Sequence, residues 1–368
     1  MTDRNQSNAE AKFGGSSLSF AEYLTRLPKV DLHCHLVGTL RSTTLSELAR
    51  KHGIVLPRNE EQIYDFEDFY SFIQILRLSA TVMRTSDDFA RVAYEAIEDG
   101  YRAGNLKHVE LMFNPQYFYN SGMRYRAMLD GLIEGTHAAQ KDFGTTALLI
   151  PSIDRQIDPS HALEILQDIL DYRPEMVVGI GLDGPERAGP PARFHELYRR
   201  AGEAGLMRTA HVCEDNQTLA EAPPQNFAIC CDVLRCDRLD HGYNVLADES
   251  MVRRARDEGL YFNTCTITSV RQNLARRQAS IGRMIESGLK VTLNTDDPQM
   301  FKTDIGHSYR VLFDTRGWGK EQAIQLSLNG VDASWLGSGE RTSLRRQFEE
   351  DIKLLDHQSK FVTPQHHR

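Results

Sequence analysis

Glu286-Ser287-Gly288-Leu289 runs straight into Lys290-Val291-Thr292-Leu293-Asn294, and this junction decides the fold. A glycine ends a helix in the left-handed conformation that other residues avoid. An apolar, β-branched strand then starts at once. The same join appears at Glu203-Ala204-Gly205-Leu206 before Met207-Arg208-Thr209-Ala210-His211, and at Asp257-Glu258-Gly259-Leu260 before Tyr261-Phe262-Asn263-Thr264-Cys265. Tyr101-Arg102-Ala103-Gly104 ahead of the run from Leu106 to Phe113 is a looser copy. Strands are predicted to begin near Val30, His108, Ala147, Val177, Met207, Arg238, Tyr261 and Lys290, with helical patterns between most of them. One such helix has Asp158-Pro159-Ser160 as cap and first turn, and Leu163, Leu166, Ile169 and Leu170 on one face. Alternating strand and helix implies a parallel sheet. Eight such units in 368 residues imply an α/β fold, a (β/α)8 TIM barrel whose active site lies at the C-terminal strand ends.

The first connection is long. Residues 36–107 hold two or three helical patterns, including Leu45-Ser46-Glu47-Leu48-Ala49 and the aromatic stretch from Phe66 to Ile75. This helical insertion after strand 1 is expected over the barrel mouth. Most of its aromatics read as core, and a few as lid contacts that exclude water. Residues 1–17 are polar and rich in Ser, Asn and Gly, and read as a disordered N-terminal segment. Residues 18–356 read as a single barrel domain and residues 357–368 as a flexible C-terminal tail.

Lys+Arg number 43 against 51 Asp+Glu, a formal charge of −8, which argues against a nucleic acid bound through a basic face. Arg253, Arg254 and Arg256, and the pair Arg276-Arg277, sit in helical patterns and read as solvated faces. No segment approaches the about 18 apolar residues of a membrane span. The six cysteines show no Cys-x-x-Cys spacing, and Cys230-Cys231 falls in an apolar helical pattern. A cytoplasmic chain without a disulfide framework is expected, with a small molecule as its partner. No pattern sets an oligomeric state.

The polar residues at the predicted strand ends carry the chemistry. His33 and His35 leave strand one two residues apart, on the same side of the strand. His211 ends strand five, with Glu214 three residues on; His241 ends strand six; Asp296 and Asp297 end strand eight. Each alone has a plainer explanation in packing, or in a turn or cap for Asp-Asp-Pro. Together on one barrel face, three imidazoles and a carboxylate match a single zinc site with room for water. Zinc brings bound water to a pKa near about 7. Glu214 can serve as the proton donor. His241, if not a ligand, can orient the hydroxide, and Asp297 can share that task or hold the substrate. The stretch from Val177 to Asp183 has no lysine that would bridge two metals, which favours one Zn2+ per chain.

Asp31-Leu32-His33-Cys34-His35-Leu36, His211 with Glu214, His241-Gly242-Tyr243 and Asn294-Thr295-Asp296-Asp297-Pro298 together resemble the adenosine deaminase family, from about Pro28 to about Gly330. The resemblance implies a zinc-dependent hydrolytic deaminase of a 6-aminopurine, adenosine or adenine, releasing ammonia. It implies His33, His35, His211 and Asp296 as metal ligands, and Glu214 as donor to the ring nitrogen beside the attacked carbon. It further implies that His241 and Asp296 steer the hydroxide, that Asp297 meets the imidazole side of the purine, and that the Gly184 amide meets the remaining pyrimidine nitrogen. The His-x-Glu with Pro-Cys-x-x-Cys signature of the cytidine-type enzymes is absent.

Three departures bear on substrate. Val37 stands where the family carries a carboxylate that contacts ribose. Cys213 sits in a His-Val-Cys-Glu run in place of His-Ala-Gly-Glu. Thr264-Cys265-Thr266-Ile267-Thr268-Ser269 replaces Cys-Pro-x-Ser-Asn. The Gly181-Leu182-Asp183-Gly184-Pro185-Glu186 run resembles the adenine deaminase branch and adds Asp183 to the expected substrate-binding set. A second reading therefore keeps the chemistry and changes the substrate to another amino-heterocycle, such as a modified purine, a pterin-like compound or a cyclic amide. A third reading, a catalytically silent ligand-binding barrel, sits poorly with a complete set of ligands and acid.

Overall fold

The computed structural model describes residues 18–359. Its strands are β1 (Lys29–His35), β2 (Leu106–Phe113), β3 (Thr146–Asp154), β4 (Gly179–Asp183), β5 (Met207–Arg208), β6 (His211–Val212), β7 (Leu239–His241), β8 (Tyr261–Cys265) and β9 (Lys290–Asn294). All neighbours pair in parallel, in the orders β1-β2-β3-β4-β5 and β6-β7-β8-β9. β5 and β6 are two pieces of the one predicted fifth strand, so His211 opens the second piece instead of ending a continuous strand. Backbone bonds from Thr209 to Ile180 and from Asp240 to Ala210 carry the sheet across the break. The cylinder closes where Asp296 N donates to His33 O and His35 N donates to Asp296 O. The predicted eight-strand barrel is therefore present, and each strand starts within two residues of its expected position.

Local chemistry explains the joins. Gly205, Gly259 and Gly288 all carry positive φ at the helix-to-strand junctions. In the looser copy the left-handed residue is Asn105 (φ 54°), one place later than the glycine. Gly104 is needed for a different reason: a Cβ there would fall 2.4 Å from Ile305 Cγ2. The helix Pro159–Asp171 starts at Asp158, whose side chain accepts from Ser160 N. It buries Leu166 and Ile169 as expected, together with Ala162 and Ile165.

The insertion between β1 and β2 holds a 3-10 turn (Leu36–Thr39) and helices Ser42–Lys51, Phe69–Ala80 and Ser86–Gly104. Phe72 packs its ring 5.0 Å from that of Phe301, which docks helix Phe69–Ala80 on the segment after β9. Below the site, Arg238 and Glu110 form a buried ion pair of 2.6 Å, with the guanidinium 3.9 Å above the Trp335 ring. The last helix, Ser338–Gln358, runs two residues into the segment expected to be a flexible tail. The expected N-terminal segment 1–17, and the tail beyond 359, lie outside the described residues. Among the described residues, no helix is long and apolar enough to cross a membrane.

Candidate active site

The site forms where β1, β6, β7 and β9 end. The backbone of Asp296 is hydrogen-bonded on both sides to β1, at His33 and His35, so strand pairing itself fixes the carboxylate between the two imidazoles. Cys213 (φ 53°), His241 (φ 105°) and Asp296 (φ 66°) all hold left-handed backbone without being glycine. Such strain persists only where surrounding structure enforces it, and it clusters at functional sites.

Asp296 Oδ1 lies 3.2 Å from His33 Nε2 and 3.5 Å from His35 Nε2. His35 Nε2 lies 3.1 Å from His211 Nε2. Ligand atoms about 2.0–2.2 Å from a tetrahedral zinc stand about 3.3–3.6 Å from one another, and these separations of 3.1, 3.2 and 3.5 Å lie in or just below that range. Two overlapping sets have all their ligand atoms within 4.8 Å: His33, His211, His241 and Asp296, and His35, Asp296 and Asp297. Asp296 belongs to both, and His241 stands close enough to count with the ligands as well as beside them.

Electrostatics agree with a cation at this centre. Burial opposes charge on His33, yet Asp240 and Asp296 push its pKa up to about 10. Burial and the neighbouring His33 bring His35 down to about 4. Burial and adjacent imidazoles hold His211 and His241 well below the ordinary histidine value. The cluster thus keeps His35, His211 and His241 neutral, the form that binds metal, beside a carboxylate that stays ionised, while His33 holds between Asp240 and Asp296 a proton that a cation would replace.

A cleft opens in front of these groups. It is lined on its polar side by His35, His211, His241, Asp296, Asp297, Glu214, Asp183, Gly184, Asn114, Tyr117, Asn216 and Ser269. Phe69, Phe72, Ile73 and Leu76 of the insertion, with Phe301, form the apolar wall. Phe69, Phe72 and Ile73 of this wall come from the aromatic stretch between Phe66 and Ile75. Burial raises the Glu214 carboxyl to about 7 against the pull of Arg277. Asp297 Oδ1 is buried without a hydrogen-bond partner. Gly38 backs onto that carboxylate so closely that a Cβ would sit 2.2 Å from Oδ1.

The Adenosine deaminase family profile matches residues 28–351. The chain belongs to the adenosine deaminase family.

Among similar proteins, an adenine deaminase of Vibrio parahaemolyticus is 29% identical, covering 90% of this chain and 97% of its own. One from Hahella chejuensis is 30% identical, covering 90% of this chain and 99% of its own. A crystal structure of an amidohydrolase from Burkholderia ambifaria with bound Zn superposes with TM-score 0.85 at 32% identity, covering 93% of this chain and 96% of that one. The adenine deaminase of Arthrobacter aurescens superposes with TM-score 0.82 at 29% identity, covering 89% and 99%.

The deaminase brings together most residues expected from the sequence: His33, His35, His211, His241, Glu214, Asp296, Asp297, Asp183 and Gly184 meet around one cleft. Two expected substrate contacts are corrected. Val37 is 3% exposed in the apolar core and is not in the cleft wall, because the 3-10 turn directs it inward. Cys213 is also absent from the wall. Its left-handed backbone sends Sγ away, 3.3 Å from Pro223 O.

Arg277 is a further correction. Instead of lying on a solvated face, it is fully buried, 3.1 Å from Glu214 Oε1 and 2.6 Å from Asp215 Oδ1.

Sequence reasoning missed three supports. Asp240 Oδ1 lies 3.0 Å from His33 Nδ1, and Asp240 Oδ2 lies 3.8 Å from His211 Nδ1. It thereby turns the other ring nitrogen of His33 toward Asp296. Its place directly before His241 was an available signal. Asn114 donates to Asp183 Oδ2 at 2.8 Å, and Glu186 Oε1 accepts from Glu214 N at 3.2 Å. Neither carries a local motif.

Proposed function

We propose that this deaminase converts adenine to its 6-oxopurine and ammonia by metal-dependent hydrolysis. The observation that carries the reading is the convergence of His33, His35, His211 and Asp296 opposite Glu214 across one cleft. The similar proteins named adenine deaminase, and the Zn of the Burkholderia structure, support it.

Those four residues would hold the ion, which when bound supplies water activated for attack at neutral pH. Glu214, in the cleft wall with a pKa raised to about 7, protonates the ring nitrogen beside the amino-bearing carbon and makes that carbon electrophilic. His241, buried and neutral, orients the attacking water. Asp297, in the cleft wall, presents its carboxyl group to the imidazole edge. The Gly184 amide meets the remaining pyrimidine nitrogen. Phe69, Phe72, Ile73 and Leu76 cover one face of the ring and keep bulk water out. A free base is favoured over a nucleoside because the 36–39 turn places apolar Val37 in the core and adds no carboxylate to the cleft for ribose. A cytoplasmic setting goes with this reading, supported by six free cysteines.

Ser269, from the altered turn after β8, does reach the cleft wall. It favours the second reading, another amino-heterocycle such as a modified purine or pterin-like compound. Ammonia release from adenine, adenosine, N6-substituted purines and aminopterins separates the two. Adenine as the best substrate is expected; a preference for adenosine or a pterin overturns the assignment.

A further inference from the structure

All three contacts to the Glu214 carboxylate fall on one oxygen. Asn216 Nδ2 donates to Oε1 at 2.6 Å, Arg277 Nη2 donates to Oε1 at 3.1 Å, and His241 Nε2 stands 3.9 Å from the same atom. Among the described residues, no donor reaches Oε2. The Oε1 side is itself braced. Thr268 Oγ1 donates to Asn216 Oδ1 at 2.5 Å, which fixes the amide so that its NH2 faces Glu214. Asn216 Nδ2 also lies 3.2 Å from Ser269 Oγ. Arg277 is held by Asp215 Oδ1 at 2.6 Å and stacks its guanidinium 4.5 Å over the Tyr243 ring.

We infer that Arg277 and Asn216 are positioning residues that make Oε1 of Glu214 a permanent acceptor and leave the transferable proton on Oε2, facing the substrate. An oxygen that already accepts two N–H donors has little room for a proton of its own, whereas an uncontacted oxygen can carry one. On transfer, the Oε2–H bond breaks and an N–H bond forms at the ring nitrogen. The carboxylate left behind is stabilised by the guanidinium already in place, so the reaction needs no reorganisation there. This gives a physical purpose to the altered turn, since Thr268 and Ser269 are the residues of that turn that seat Asn216. The inference rests on Glu214 being the acid of the proposed reaction.

The test uses metal-loaded enzyme and adenine. Asn216→Ala and Thr268→Val loosen Oε1 without stranding a charge. Arg277→Met is paired with Asp215→Asn so that no buried carboxylate is left unpaired. Loss of a charge-assisted hydrogen bond predicts a kcat reduced by about 10- to 100-fold in the arginine variant. KM should change little. Removing the cation also lets the Glu214 pKa rise, so the alkaline limb of the pH–rate profile moves up in the Arg277→Met variant and much less in Asn216→Ala. A variant that is merely less well folded would lose activity at every pH alike. Unchanged kcat and an unshifted limb in a folded, metal-replete variant overturn the inference. Glu214→Gln is run beside them. If it is inactive while the Arg277 and Asn216 variants turn over normally, only the positioning role fails; if it is active, the acid assignment itself fails.

Discussion

Asp240 Oδ1 lies 3.0 Å from His33 Nδ1, with both side chains fully buried. Thr209 Oγ1 and Asn263 Nδ2 also donate to this carboxylate, at 2.7 and 2.9 Å, so it cannot swing away. It fixes which imidazole nitrogen is left for the centre, and its charge raises the basicity of that nitrogen. Asp240→Asn should therefore weaken metal binding by about 10- to 100-fold while the metal ligands remain in place. Competition against a chelator of known affinity measures this directly. An unchanged metal affinity would show that Asp240 serves packing alone.

Glu214 faces the cleft but lies outside both clusters of candidate metal ligands. Glu214→Gln should hold metal normally and lose about 10²–10⁴-fold in kcat, the range of a general-acid contribution. Metal content and steady-state turnover on the same preparation check both halves. Loss of metal in this variant would place Glu214 in the metal-binding set instead.

Val37 has no access to the cleft, so placing a carboxylate there should not create a ribose contact. Val37→Asp should instead bury an unpaired charge and destabilise the fold by on the order of 3 kcal/mol. Thermal unfolding and the adenosine-to-adenine activity ratio are the readouts. A higher ratio with unchanged stability would mean that the turn opens toward the substrate.

Asp88 anchors the insertion. It accepts from the amides of Arg84 and Thr85 at 2.9 Å each, from Lys51 Nζ at 2.6 Å and from His52 Nε2 at 2.8 Å. Burial opposes its charge, but these donors hold its pKa below the ordinary value. A carboxylate with a depressed folded-state pKa stabilises above its unfolded value of about 3.9 and loses that contribution as pH falls through the folded one. Asp88→Asn should cost about 1–2 kcal/mol at pH 7, judged from the hydrogen bonds lost. The difference from the parent should shrink below about pH 4. A gap that stays constant from pH 7 to 3 would contradict this role.

The barrel was legible because its signal is local: a glycine at φ near 70° and the β-branched strand after it lie next to each other in the chain. The imidazoles and Asp296 were legible because strand ends in a barrel converge whatever their separation in sequence. What could not be read depends on contacts across long separations. Arg277 reaches Glu214 over 63 positions, and a basic residue next to another on a helix gives no sign of turning inward. Val37 was expected at the substrate from the family resemblance alone, and nothing in the local sequence shows that the 3-10 turn over 36–39 turns this side chain into the core. The break between β5 and β6 left no sign because both pieces keep the expected register with their neighbours.

The most direct test of the account is metal content measured together with adenine deamination, for the parent enzyme and for Asp296→Ala. The account predicts close to one zinc per chain in the parent and turnover that rises in proportion to metal occupancy. It predicts neither metal nor turnover in the variant, whose carboxylate is shared by both clusters of candidate ligands. Adenine turnover by metal-free parent enzyme, or an Asp296→Ala variant that keeps stoichiometric zinc and full activity, would contradict it.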